Sequence, residues 1–268
     1  MQGPVAQALL LACAGNAFLS GRDLTGFWPD SVVFKFSRSC DFRVVDGDAD
    51  RLLAPDPLAW FETLRGVRGL HLHHAPRPRA PGQTLAVEER MMAGFVGGGP
   101  AWLIEVVGEG RSMLWQGFDR LGDRNDPERK IWLNTYLRVG ETEPQEYAAQ
   151  PLAEACADLD HALLEIGAVA ARMQYGNWSD VFAAARASLS APGDHFFYRD
   201  FERYAGFGPV QQGLLAAATG GSVFGGMGSW NDVGPCPELE ADYNRTSEQL
   251  YTTLNNAIAA LANSTYRP

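Results

Sequence analysis

The chain has 268 residues, and its 22 Lys and Arg against 32 Asp and Glu give a formal net charge of −10 and a sequence pI of about 5.0. This length can bury a hydrophobic core without structural metal ions or disulfides, and the negative charge argues against nucleic-acid binding because it repels phosphate backbones. The four cysteines form no CxxC pair and no zinc-ligand spacing, so we expect reduced thiols, no cofactor and a cytoplasmic protein.

The first part of the chain contains a predicted helix, a strand and a second helix. Residues 5–19 place apolar side chains on one face at helical spacing, which predicts an amphipathic helix. Residues 32–45 alternate like a half-buried strand, and residues 57–64 indicate a short helix. Residues 1–7 carry no Lys or Arg, and no run approaches the ~20 apolar residues that cross a bilayer. We therefore expect neither a secretion signal nor a membrane span.

The end of the first predicted helix reads Phe18-Leu19-Ser20-Gly21-Arg22-Asp23-Leu24. This stretch resembles the opening of small acidic immunity-type proteins, in which a helix, a glycine and a leucine-bearing turn precede the fold. The chain as a whole resembles bacterial domains of unknown function. The first resemblance covers only the start of the chain, and it implies an acidic protein that binds another protein.

Three histidines lie in or beside the next predicted strand, residues 70–74. His71 and His73 would point to the same side of this strand, which is a geometry that can bind a metal ion. The sequence shows no third ligand nearby. We therefore interpret the pair as surface imidazoles, with a metal site as the weaker alternative.

Three strands are predicted in succession over residues 101–107, 111–118 and 130–139, which indicates an antiparallel meander. In the third strand, Trp132 and Tyr136 fall on one face. They could line a shallow binding surface, or they could lie beneath a helix. We favour the covered position, because helices come next in the chain.

The second part of the chain is predicted to be helical. Residues 141–150 are polar and mark the best internal boundary, between a sheet-rich part (1–149) and a helix-rich part (150–268) of one packed unit. Helices are predicted over residues 151–173, 177–189 and 238–263 from their apolar stripes. The fold class is therefore α+β, with an antiparallel sheet covered by helices and a helical C-terminal half. His195 stands at the start of an aromatic-rich stretch and is a possible general base.

The most unusual stretch is residues 219–235, TGGSVFGGMGSWNDVGP, which we call the glycine-rich segment. It lacks the lysine of a phosphate-binding loop, the third glycine of a dinucleotide fingerprint and the closing glycine of a nucleophile elbow. We therefore favour a structural role, in which glycines allow close backbone approach and Trp230 covers the edge. The alternative is a ligand or partner site built from Trp230, Asn231 and Asp232.

Two hypotheses for function follow. The first is a non-enzymatic, acidic protein that binds a partner protein, with an immunity-like role as its narrower form, because the tested catalytic motifs are missing and aromatic residues could serve as anchors. The second is an enzyme or small-ligand binder with its site at the glycine-rich loop, residues 220–234. Neither hypothesis involves nucleic acid or a membrane.

Overall fold

A six-stranded mixed sheet is the framework of the computed structural model, which describes residues 1–47, 49–76, 88–95, 98–143, 150–193 and 199–267. Its strands are β1 (Ser37–Asp46), β2 (Ala49–Ala54), β3 (Gly69–Ala75), β4 (Ala101–Val107), β5 (Ser112–Leu121) and β6 (Trp132–Thr142). They lie in the order β2-β1-β6-β5-β4-β3. Four of the five pairings are antiparallel, including the predicted meander, whereas β1 and β6 run parallel.

The helices follow the α+β pattern that the sequence predicts, with the C-terminal half mainly helical. They are α1 (Gly3–Leu19), α2 (Pro57–Thr63), α3 (Glu89–Met92), α4 (Leu152–Arg172), α5 (Gly176–Ala187), α6 (Pro209–Gly220) and α7 (Glu240–Asn263). Short 3₁₀ turns lie at Trp230–Asp232 and Pro237–Leu239. Among the described residues, no helix combines the length and apolar character that a membrane crossing requires.

Helix α1 is central rather than amphipathic. All eleven residues from Ala6 to Asn16 are buried, so every face of the helix is covered. It contacts β3, α7 and the π-helical turn Phe201–Ala205. The predicted one-sided stripe was therefore wrong, because small and apolar residues occupy all sides and match a helix enclosed by protein.

The strand predicted from residue 32 begins later, at Ser37. Val32–Phe34 forms a 3₁₀ turn instead. The N–H of Val32 donates to the Asp200 carboxylate at 2.5 Å, and the Phe34 ring packs edge-on against Phe27 at 5.7 Å. These tertiary contacts outweigh the local strand preference of the sequence.

The covered face of the sheet, which we call the inner face, carries the aromatic core. Phe42 of β1 stacks on Trp60 of α2 at 4.2 Å and on Tyr136 of β6 at 5.2 Å. Trp115 of β5 packs edge-on against Trp60 at 5.8 Å. Buried residues from the sheet-rich and helix-rich parts belong to one hydrophobic cluster. The opposite, outer face carries partly exposed residues such as Phe118.

Candidate functional site

A pocket of about 520 Å³ lies beside the first half of the glycine-rich segment. Its walls come from that segment, the region after α3, the starts of α1 and β4, the end of β5 and the middle of α7. The described apolar residues that line it from the inner side include Val5, Trp102, Phe224, Tyr251, Leu254 and Ile258. This volume and this aromatic character are typical of small-molecule sites.

Glycines shape one wall of the pocket through direct backbone contact. A Cβ atom at Gly94 would lie only 2.2 Å from the carbonyl carbon of Gly225, so two main chains touch where α3 ends. A Cβ at Gly98 would lie 1.7 Å from the Met92 carbonyl oxygen. Gly99 has a φ of 72°, which disfavours residues with a side chain. The close main-chain contact thus requires glycine at position 94, outside the glycine-rich segment. A Cβ atom at Gly225 would meet only Ser229 Cβ, at 3.7 Å, so the expectation that the glycines of the segment permit close backbone approach is not confirmed at Gly225.

Two aromatic contacts fix the apolar lining. The Phe224 ring packs edge-on against Tyr251 of α7, with 5.4 Å between centroids, and is 7% exposed. Trp102, at the start of β4, lies 5.3 Å from the His74 ring. Phe118 is 43% exposed and belongs to the outer face of the sheet, so its exposure does not describe the pocket interior. The ring contacts of Phe224 and Trp102 therefore define the aromatic part of the lining.

Asp119 of β5 is the charged side chain in this lining, as far as the described residues go. Its Oδ1 accepts a hydrogen bond from Nδ2 of Asn134 at 2.5 Å. Burial raises the pKa of Asp119 above its ordinary value, and the Asn134 hydrogen bond only partly opposes this effect. Asn255 and Ser222 also line the pocket, and the Ser222 hydroxyl donates to the Ala218 carbonyl at 2.6 Å.

The second half of the glycine-rich segment forms no part of this pocket in the described residues. Trp230 is fully buried, and its indole Nε1 donates to Ser247 Oγ at 2.8 Å. Tyr243 Oη donates to the Trp230 carbonyl at 2.8 Å, and Phe182 meets the Trp230 ring edge-on at 5.2 Å. Trp230 therefore joins α5 to α7 in the core, rather than covering an edge or facing a ligand.

Asn231 and Asp232 also serve local structure. Asn231 accepts from the buried Arg90 guanidinium at 3.3 Å, and its Nδ2 donates to the Arg90 carbonyl at 2.8 Å. The Arg90 guanidinium also donates to Asn244 at 2.9 Å. The Asp232 carboxylate accepts the N–H groups of Gly228 and Ser229, which closes the 3₁₀ turn. The three residues proposed from the sequence are adjacent in the chain but do not converge on a cavity.

The remaining candidates lie in different places. Tyr136 is buried, which fits the covered-sheet interpretation, and it stacks on Phe42, its cross-strand neighbour on the same face. Trp132 is half-buried at the start of β6. His195 lies outside the described residues. His73 is half-buried, whereas His71 is buried rather than on the surface, and both share the outer face of the sheet with Glu105.

The sequence analysis did not single out Asp119, Trp102 or Asn255 as pocket residues, or Glu105 as a neighbour of the histidines. Asn255 offered one signal, since it is a polar residue next to the apolar stripe of the terminal helix. The sequence contains no such signal for Asp119, because acidic residues are common at the ends of strands. Only the strand register brings Glu105 opposite His71.

Comparison of the chain with protein-family models, with curated proteins and with solved structures finds no match. The resemblance of residues 18–24 to immunity-type proteins therefore stays a prediction.

Proposed function

We propose that this protein binds a small organic cation, consisting of an apolar or aromatic body with one protonated amine, in the pocket beside the glycine-rich segment. The observation that carries the proposal is a single, partly buried carboxylate, Asp119, in a lining that is mainly aromatic, aliphatic and glycine-rich, with Gln2, Ser222 and Asn255 as its neutral polar side chains. This is the ligand-binding alternative that the sequence suggests for residues 220–234, with its site moved to the first half of that loop.

The charge of Asp119 supports a cationic ligand. Among the described residues, Asp119 forms no ion pair; its contact is the neutral Asn134 amide. A partly buried carboxylate with a raised pKa gains from an opposite charge, because the pairing offsets the cost of desolvation. An ammonium group would therefore bind better here than a neutral or anionic group.

The aromatic lining supports the same ligand class. Trp102 and Tyr251 offer ring faces and edges to an apolar body, and aromatic faces also attract cations. The described lining contains no histidine, cysteine or lysine, and the Ser222 hydroxyl proton is donated to a carbonyl. We therefore propose binding rather than catalysis as the role of this pocket.

Three matched probes test the proposal by isothermal titration calorimetry at pH 7: phenethylamine, 2-phenylethanol and 3-phenylpropionate. They share a phenyl ring and differ in charge. We expect one phenethylamine per chain, with at least about tenfold weaker binding of the other two, which corresponds to about 1.4 kcal/mol. Equal binding of the three probes, or no binding of phenethylamine, would contradict the proposal.

Two variants locate the site. Asp119→Asn keeps the shape and the acceptor for Asn134 but removes the charge, and should weaken phenethylamine binding at least about tenfold. Asp123→Asn is the matched control, because Asp123 is exposed just beyond the end of the same strand. It should bind phenethylamine like the wild type. Unchanged binding by Asp119→Asn would place the probe elsewhere.

A second candidate function is the binding of a cytoplasmic partner protein, with an immunity-like role as its narrower form. It is favoured by the outer face of the sheet, where Val45 is 50% exposed and Leu52 is 47% exposed, and by the net charge of −10, which favours a basic partner surface. Affinity capture should retain a specific basic protein on the wild type and on Asp119→Asn, but not on the double variant Val45→Glu, Leu52→Glu. Equal capture by all three proteins would remove this candidate.

A further inference from the structure

The outer face of the sheet carries a compact group of metal-ligand side chains. His71 and His73 alternate with Leu70 and Leu72 on β3, and the leucines are buried in the inner core. Alternation along a strand therefore turns both imidazoles to the outer face. Glu105 of β4 is the cross-strand partner of His71, so its carboxylate lies on the same face.

The geometry of this group suits a metal ion. One ligand atom from each of His71, His73 and Glu105 can be chosen so that all three lie within 4.8 Å of one another. His73 Nε2 and Glu105 Oε2 are 2.8 Å apart. Tetrahedral zinc with bonds of about 2.1 Å requires ligand atoms about 3.4 Å apart, so small side-chain adjustments would complete the set.

We propose that His71, His73 and Glu105 bind one Zn²⁺ ion, independently of the pocket proposed for the amine. Two imidazoles and one carboxylate form a ligand set that binds zinc in preference to magnesium or calcium. Glu105 is fully buried, and a divalent cation would compensate its charge. The His73 side chain is 19% exposed, so water can reach the remaining coordination position.

The strand that holds both histidines is fixed along its free edge. The Asn16 side chain donates to the Leu70 carbonyl at 2.9 Å and accepts the Leu70 N–H at 2.7 Å. Asn263 accepts the Leu72 N–H at 2.8 Å and donates to the Leu72 carbonyl at 3.2 Å. The two amides thus occupy backbone positions that a further strand would pair. A fixed backbone keeps the ligands in place, which metal affinity requires.

The His71 ring is also held in orientation. Tyr266, after the end of α7, meets it in a T-shaped contact with 4.1 Å between ring centroids. The Tyr266 ring packs closely on Gly69, where a Cβ atom would lie 2.5 Å from Tyr266 Cδ2. The chain thus crosses the sheet edge and covers one side of the group, while the His73 side remains accessible to solvent. This supports a site with one open position.

The first test uses the full chain after treatment with a chelator, titrated with Zn²⁺ by calorimetry and with Co²⁺ by visible absorption. We expect one ion per chain with micromolar or tighter affinity, and the visible bands of tetrahedral or five-coordinate Co²⁺ with N and O ligands. A wild-type protein that binds neither ion would overturn the proposal. A thiolate-to-cobalt charge-transfer band would also overturn it, because it would indicate a cysteine ligand.

Variants then assign the ligands. Glu105→Gln and His73→Gln should each weaken Zn²⁺ binding by at least about tenfold, while circular dichroism shows a folded chain. His74→Gln is the matched control, because His74 is the next residue on β3 and contacts Asn256 at 3.0 Å rather than Glu105. It should bind Zn²⁺ like the wild type. The proposal fails if His74→Gln loses the ion as strongly as the two ligand variants do. It also fails if both ligand variants keep the ion, because His73 and Glu105 then form an ion pair without a metal ion. Should Glu105→Gln not fold, the more exposed His73→Gln and the wild-type cobalt spectrum decide the question.

Discussion

The two halves of the glycine-rich segment differ in how they are packed. Around Gly225 the main chain touches the Gly94 backbone, and the neighbouring residues line a pocket of about 520 Å³. A few residues later, Trp230 is fully buried and fills the space between α5 and α7. The first half therefore lines a cavity, whereas the second half is packed in the hydrophobic core.

This difference shows that one short stretch can have two separate structural roles. Around Gly225 the main chain packs against Gly94, and position 94 requires glycine because a side chain there would overlap the Gly225 main chain. The sequence Trp230-Asn231-Asp232 is required because each side chain satisfies a partner in the fold. We therefore expect substitutions in the second half to reduce stability, and substitutions around the pocket to alter ligand binding.

The largest effect is expected for Trp230→Ala. It removes a fully buried indole and its hydrogen bond to Ser247, and should lower the free energy of unfolding by about 3–5 kcal/mol. Urea denaturation followed by circular dichroism measures this change. Met227→Ala is the control in the same segment, because Met227 is fully exposed and its removal should stay within about 0.5 kcal/mol. A loss below about 1 kcal/mol for Trp230→Ala would show that the second half is not an anchor.

The second prediction compares two glycines. Gly94→Ala would place a methyl group against the Gly225 main chain, so the two segments must separate. We expect about 2–3 kcal/mol lower stability and weaker phenethylamine binding. Gly226→Ala is the control, since a Cβ there has no neighbour within 4 Å. If the two variants are equally stable in urea, backbone contact does not shape the pocket.

Much of the fold could be predicted from the sequence, because local periodicity reports which face of an element is buried. The meander β4–β6 and the terminal helix α7 followed from alternation and from an apolar stripe, and both are present. The parallel pairing of β1 with β6 could not be predicted, since it joins residues 37–44 to residues 132–138, with four other strands between them in the chain. The burial of α1 on all faces was also missed, because a one-sided stripe and an enclosed helix can share the same apolar positions.

The candidate site was predicted only in part. Glycine content pointed to a segment that lines the pocket, although the glycine that the close main-chain contact requires, Gly94, lies outside that segment. The side chains that give the pocket its chemistry come from elsewhere, with Trp102 on β4, Asp119 on β5 and Asn255 on α7. Only tertiary packing brings these positions together. For the same reason, His71 and His73 could be paired from the sequence, but Glu105 could not be added to them.

The third prediction concerns Asn231→Ala. Arg90 is 2% exposed, and Asn231 both accepts from its guanidinium and donates to its carbonyl. Loss of this amide leaves a buried cation with fewer partners, and should cost about 1–2 kcal/mol of unfolding free energy. Urea denaturation should show no such loss for Asn125→Ala, because Asn125 lies in an exposed loop. Phenethylamine affinity should remain unchanged in both variants, and a selective loss of affinity in Asn231→Ala would restore Asn231 as a ligand residue.

The smallest change in stability is expected for Asp119→Asn, and its sign is opposite to the others. Burial raises the folded-state pKa of Asp119 above its unfolded value, so the folded chain favours the protonated form. Protonated Asp119 therefore contributes to the stability of the folded chain. This contribution is fully present below the unfolded pKa of about 3.9 and is lost as pH rises through the higher folded pKa. Asparagine does not ionise, so Asp119→Asn should match the wild type at the acidic end and become more stable than it as pH rises towards 7. Urea midpoints measured from about pH 3 to pH 8 test this trend against Asp123→Asn. A variant that gains stability while losing phenethylamine binding would show that Asp119 is kept for its ligand rather than for the fold, whereas a variant that loses both would assign Asp119 to the structural group with Trp230.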